Sequence, residues 1–264
     1  MVRSGETEGL VKKNKGEDRG ITAHLFKKDA FSSVSEGVKA VVAEIIGTAF
    51  LVLFGCGTCL SWGTFAAPTQ LQIAIGFGFI IASMVQTIGH VSGCNINPAV
   101  TVGLLASGRI GLLRTVLYIP AQCVGAIAGA ALLYLVSPEQ ARSGLGTPSL
   151  GTGVTVMQGF LVEALISAVL ILVVCAVTDP SRMDVGNAAP VAIGLAITTS
   201  HIFAIPFTSS SMNPARALGP AVMTGGWDNH WIYWIAPLVG AAIAGLVYRF
   251  VFSASKDDEH SYDL

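Results

Sequence analysis

The chain has 264 residues, 52% of them hydrophobic and 12% charged, with a mean hydropathy of +0.66 and a net charge of -1. A soluble domain carries about a quarter charged residues, so an ordinary soluble fold is excluded. The composition is that of a multi-span membrane protein.

Residues 1-35 read as a polar tail. Eight of the fifteen Lys and Arg fall before residue 40, and the first thirty residues contain no apolar core of a cleaved signal peptide. A short amphipathic piece is expected near Phe26 and Phe31. Six apolar segments then follow, at about 38-60, 71-91, 115-136, 154-177, 188-206 and 231-253. Each approaches the roughly 20 residues that a helix needs to cross a bilayer, the fifth being the shortest. Two further apolar stretches, 98-106 and 214-224, reach only about 15 Å at 1.5 Å per residue, half a hydrocarbon core. Residues 253-264 form an acidic tail. An all-α membrane domain is thus expected over 36-252, with repeats at about 36-136 and 154-252.

Charge orients the chain. The N-terminal tail is basic, the second connection carries Arg109 and Arg114, the fourth carries Arg182, and Arg249 and Lys256 flank the end of the sixth segment. The first connection has no Lys or Arg, and the third has only Arg142. By the positive-inside rule both termini are cytoplasmic. The five cysteines, Cys56, Cys59, Cys94, Cys123 and Cys175, lie in or beside apolar segments and read as reduced packing residues.

The chain also repeats itself. Glu44 and Glu163 lie 119 residues apart, two Asn-Pro-Ala tripeptides (Asn97-Pro98-Ala99 and Asn213-Pro214-Ala215) 116 apart, and Gly125 and Gly240 115 apart. Each half holds three spans, an odd number, so the second half enters the membrane from the opposite side. Such an inverted repeat places its site at the bilayer midplane. Asn favours the N-cap and Pro the first helical position, so each tripeptide starts a half-helix, and the two starts meet at the midplane. Each Asn oxygen caps its own helix, leaving the NH2 free to donate into a pore. Both positive dipole ends point at one place, a barrier to cations and hydronium. A single such tripeptide is an ordinary helix cap; two at matching places of an inverted repeat are not.

The stretches Ser92-Gly93-Cys94-Asn95-Ile96 and Ser209-Ser210-Ser211-Met212 are non-helical at membrane depth, so they must line water or be buried in protein. The backbone of Gly93, Cys94, Asn95, Ser209 and Ser211 is expected to line the pore. Glu44 and Glu163 are expected to accept N–H bonds from these loops. An intramembrane Glu alternatively marks a proton or ion site, but neither has a basic partner in register and both occur symmetrically.

These motifs, with Ala43-Glu44, Gln122-Cys123-Val124-Gly125 and Ser211-Met212-Asn213-Pro214-Ala215-Arg216, closely resemble the aquaporin, or major intrinsic protein, family over about residues 36 to 252. The resemblance implies six tilted helices plus two half-helices, a pore in each subunit and a homotetramer. It also implies an aromatic/arginine filter formed by Phe77, His201, Ser210 and Arg216. Phe77 lies twenty before Asn97 and His201 twelve before Asn213, as in water-selective members. Glycerol-conducting members usually carry Asp after that Arg and a small residue in place of the His; here Ala217 follows and His201 is retained, and Tyr233-Trp234 matches the aromatic pair of water channels. Many mercury-sensitive members carry Cys at the place of Ser210, so that place is expected to be unreactive; Cys94 remains a candidate for partial sensitivity.

The expected function is a passive water-selective channel in the plasma membrane, with water as permeant, lipid around it, no cofactor, no metal and no nucleic-acid partner. Alternatives on the same fold are a broader pore for glycerol, urea or ammonia, and a junction or adhesion protein. A coupled transporter would need midplane carboxylate pairs, and no Ser-His-Asp set, metal cluster or phosphate loop for an enzyme can be assembled. Weaker signals are close helix contacts at Gly125, Gly129, Gly240 and Gly245, phosphorylation at Ser32, Ser33, Ser253 or Ser255, a C-terminal Tyr262-Asp263-Leu264 read by a PDZ-type domain, and a gating role for His90.

Overall fold

A computed structural model describes residues 31–63, 66–182 and 185–253. The amphipathic piece near Phe26, Ser255 and the terminal Tyr262-Asp263-Leu264 lie outside the described residues. The spans are α1 (Val34–Phe50, continued by a wider π-type stretch Leu51–Cys56), α2 (Gln70–Ser92), α4 (Leu112–Val136), α5 (Val156–Val177), α6 (Ala189–Thr208) and α8 (Ile232–Val247, continued by a π-type stretch Tyr248–Phe252). All six are long and apolar enough to cross a membrane. The half-helices are α3 (Pro98–Ala106) and α7 (Pro214–Thr224), over the residues expected. No strand occurs among the described residues. The expected first span overran its helix, which ends at Cys56, because Leu60 is buried beyond the helix end and keeps the segment apolar.

Local chemistry sets the starts. Ser33 caps α1, and Thr69 and Thr155 form capping boxes with Gln72 and Gln158, each satisfying N–H groups that a helix start leaves unpaired. The halves pack by the same scheme. α1 lies against α4 and α5 against α8; each half-helix lies against the last span of the other half, α3 on α8 and α7 on α4. Glycine permits the closeness. A β-carbon at Gly125 would sit 2.3 Å from the Ile45 carbonyl oxygen, and one at Gly240 would sit 2.0 Å from that of Ala164. In lipid such close backbone approach supplies the packing that water would otherwise drive.

Val38, Val42 and Ile46 of α1, four residues apart, are exposed, as are Leu161, Leu165 and Val169 of α5. These stripes face outward, and the core belongs to both halves: Leu51, Phe77, Cys94, Ile96, Ile171, Ile197 and Met212 form one cluster. At one end, Arg114 meets Glu36 at 3.8 Å and Arg109 meets Asp179 at 3.1 Å. That end therefore gathers the start of α1 and the second and fourth connections.

Candidate functional site

The site is built from the two loops that precede the half-helices. Each carries three residues in the left-handed backbone region: Gly93, Cys94 and Ile96 at φ 89°, 52° and 42°, and Ser209, Ser210 and Met212 at φ 62°, 54° and 57°. Non-glycine residues rarely adopt that region, so something must hold them there. Glu44, fully buried in α1, accepts from the Ser92 hydroxyl at 2.6 Å, the Asn95 N–H at 2.9 Å, the Ile96 N–H at 2.7 Å and Gln122 Nε2 at 2.8 Å. Glu163 of α5 accepts from the Thr208 hydroxyl at 2.6 Å, the Ser211 N–H at 2.9 Å and the Met212 N–H at 2.8 Å. Bonds to a charged acceptor are the strong ones. Two tyrosines complete the symmetry: Tyr118 donates to the Ser92 carbonyl at 2.9 Å and Tyr233 to the Thr208 carbonyl at 3.2 Å.

The asparagines do more than cap. Asn97 Oδ1 accepts the Ala99 N–H at 2.7 Å, and Asn213 Oδ1 accepts those of Ala215 and Arg216 at 3.0 and 3.1 Å. Their Nδ2 groups were expected to be free for the pore. Instead each donates across to the opposite loop, Asn97 to the Met212 carbonyl and Asn213 to the Ile96 carbonyl, both at 2.9 Å. An amide NH2 has two hydrogens, so one N–H ties the halves together and one remains for the lumen. The physical reason is that Ile96 and Met212, held at positive φ, have carbonyls to which no helical N–H donates.

A cavity of about 590 Å³ passes between the two half-helix starts, with Asn97 and Asn213 in its wall. Its wall includes Gly93, Cys94, Asn95, Asn97, Ser211 and Asn213, and it reaches Arg109, Arg114 and His90 at the end where those charges gather. At its other end stand Phe77, His201 and Arg216. Phe77 and His201 stack at 4.6 Å between ring centroids, and the Arg216 guanidinium lies 5.0 Å from the Phe77 centroid. All three are 1–2% exposed. Arg216 Nη1 donates to the Gly146 carbonyl at 2.6 Å, which fixes the fork. His201 Nδ1 faces the Ile197 carbonyl at 3.0 Å. A carbonyl only accepts, so Nδ1 donates, and in the neutral ring Nε2 is left as an acceptor. His201 Nε2, Arg216 Nε and the Ser210 hydroxyl have no protein partner. The cavity wall does not extend to Ser209 and Ser210. Ser209 instead turns its hydroxyl to the Ser149 carbonyl at 3.1 Å, in the connection that also supplies Gly146.

At the charged end, Asp179 lies outside the spans. Burial raises its carboxyl, but hydrogen bonds from Ser181 and Tyr248 and the charge of Arg109 outweigh that and hold it below its ordinary value. Arg109 in turn donates to Thr178 and lies over the Tyr248 ring.

A sequence model of the major intrinsic protein family matches residues 31–248. The chain belongs to that family. Its relatives include Aquaporin-4 of Mus musculus, 45% identical over 242 residues that cover 88% of this chain and 75% of that protein. Another is Aquaporin-2 of Bos taurus, 44% identical over 81% of this chain and 78% of that protein. Among solved structures, the aquaglyceroporin from Plasmodium falciparum superposes with a TM-score of 0.74 over 81% of this chain and 96% of that one, at 22% identity, a likeness of fold alone.

Within this major intrinsic protein, sequence reasoning named Tyr233 but missed Tyr118 and the matching carbonyl bonds of the two tyrosines, and it missed the Gly146 partner of Arg216 and the Asp179 cluster. The 115-residue spacing of Tyr118 and Tyr233, equal to that of Gly125 and Gly240, is a signal that was there to be read. Gly146 accepts through its backbone, which leaves no trace in side-chain pattern.

Proposed function

We propose that this member of the major intrinsic protein family is a passive, water-selective channel driven by osmotic gradients. The observation that carries the reading is the stack of Phe77 on His201 beneath Arg216 at the end of the cavity. Arg216 presents fixed donors and a positive charge, and His201 Nε2 presents an acceptor, so a water molecule finds both kinds of partner. Such a ring is expected to reject a three-carbon polyol by size. Phe77, His201 and Arg216 are thus the selectivity filter, with Ser210 as its fourth place. At the midplane, Asn97 and Asn213 each keep one N–H for the passing water oxygen. The N-termini of α3 and α7 add positive potential there, which opposes hydronium and other cations. Glu44 and Glu163 support the loops and take no part in ion transport, because every oxygen of both is occupied by a donor of those loops or of Gln122.

The protein is a multi-pass membrane protein. The clustering of basic residues at one end supports cytoplasmic termini, a plasma-membrane location is the accompanying proposal, and the family resemblance supports a homotetramer. The test is stopped-flow light scattering of proteoliposomes under an osmotic step and under isosmotic glycerol. Fast water flux with glycerol at the level of empty liposomes is expected; glycerol moving nearly as fast as water overturns the reading.

A further inference from the structure

We propose that the π-type stretch Leu51–Cys56 of α1 sets the aperture of the Phe77–His201–Arg216 ring, with Gly55 and Cys56 as positioning residues behind it. The proposal rests on the reading of that ring as the filter. π-type turns inside α-helices are often found at functional sites, and this one runs behind the ring.

Gly55 is the seat of Phe77. A β-carbon at position 55 would lie 2.6 Å from Phe77 Cε1, 2.8 Å from Cδ1 and 3.2 Å from Cζ. The ring therefore packs directly on helix backbone. Its other sides are taken by His201 and by the Arg216 guanidinium. Nor can its own backbone slide. Phe77 is flanked by Gly76 and Gly78, where a β-carbon would lie 2.4 Å from Thr58 Cγ2 and 2.6 Å from the Gly194 carbonyl oxygen, so α2 is clamped between the end of α1 and α6 at this level. Phe77 lines the cavity, so movement toward the lumen is open to the ring.

Cys56 serves the opposite wall. It is fully buried, and a β-carbon at Gly146 would lie 3.1 Å from its Cβ and 3.3 Å from its Cα. Gly146, at φ 73°, is the residue whose carbonyl holds Arg216 Nη1. Neighbouring positions point in different directions even in this wider turn, by somewhat less than the roughly 100° of an α-helix, so two consecutive residues of α1 back two different members of one ring. The stretch acts as a template: Gly55 fixes how far the aromatic side recedes from the pore axis, and Cys56 fixes how far the arginine side does.

The test is a double-mutant cycle between positions 55 and 77 in proteoliposomes, with water and glycerol permeability normalised to reconstituted channel. Gly55→Ala overpacks the seat, pushes the ring into the lumen and is expected to lower water permeability per channel about five-fold or more. Gly57→Ala is the control, because its added β-carbon meets only Leu133 Cδ1 at 3.6 Å; its permeability stays at the parent level. In a Phe77→Ala background, Gly55→Ala loses most of its effect. Parent-level permeability in Gly55→Ala, or an equal loss in both backgrounds, overturns the proposal. If Gly55→Ala alone yields no folded protein, the same cycle is read on yield and melting temperature. Recovery of folded Gly55→Ala/Phe77→Ala then supports the proposal, and failure to recover it overturns it. Phe77→Ala alone separates the two readings: if it admits no glycerol, the filter reading fails, whereas the coupling of 55 to 77 is judged on water flux and stability.

Discussion

Replacing Glu163 with Gln tests the clamp on the second loop. The carboxylate uses one oxygen for the Thr208 hydroxyl and the Ser211 N–H, and the other for the Met212 N–H. A carboxamide has one acceptor and one donor group in those two places. Whichever way it turns, its NH2 faces a backbone N–H at under 3 Å, Met212 in one orientation and Ser211 in the other. One buried donor is left unpaired, at a cost of about 1–3 kcal/mol, and the bonds that remain lose their charge assistance. For a chain of this length, that corresponds to a melting temperature lower by about 2–12 °C. Glu163→Leu orphans all three donors and costs about 3–9 kcal/mol, on the scale of the whole folding free energy. The assay is thermal unfolding of detergent-purified protein, with water permeability per channel measured on the same preparations. Met212 offers its carbonyl to Asn97, so loss of its N–H partner is expected to lower permeability as well. An unchanged melting temperature in Glu163→Gln would refute the claim that this carboxylate holds the loop in its left-handed conformation.

Three further outcomes are expected. His201→Gly, with Arg216 intact, removes one wall of the constriction, and isosmotic glycerol then swells the proteoliposomes; continued exclusion of glycerol removes His201 from the filter. Ser210→Cys gains mercury block in a swelling assay, and failure to gain it removes Ser210 from the ring. Asp179 has a lowered pKa, so its contribution to stability is complete above its ordinary value of 3.8 and is lost as pH falls through the depressed folded value. Asp179→Asn should therefore destabilise the protein at neutral pH and flatten the acid limb of its melting-temperature profile below that point; a profile parallel to that of the parent protein refutes the role of the Arg109–Asp179 pair.

What was legible in the sequence was what covalent pattern dictates. Pro98 and Pro214 fix where half-helices start, and their shortness follows from the length of the apolar run. The two buried glutamates announce themselves because a carboxylate in lipid needs partners. Backbone partners were hidden. Nothing in the identity of Met212 or Ile96 says that its carbonyl takes an Asn from the other half, and nothing in Gly146 says that it anchors Arg216. The first span was misjudged at its end because hydropathy does not distinguish Leu60 packed beyond a helix from a residue within one. The grouping of Phe77, His201 and Arg216 came from the family resemblance, and their stacking from the structure alone; lone aromatic residues in apolar helices carry no such message.

The crossed asparagine bonds also bear on the order in which the chain can mature. Asn213 reaches back 117 residues to the Ile96 carbonyl, and Asn97 waits for a Met212 carbonyl 115 residues ahead. At a synthesis rate of about 5–20 residues per second, the first re-entrant loop exists for about 6–23 seconds before its partner has been made. During that interval only groups of the first half, Glu44, Thr101 and Tyr118 among them, can hold it. The first loop is thus a provisional structure in the nascent chain, and the pore axis comes into being in a late step, when the second half is threaded.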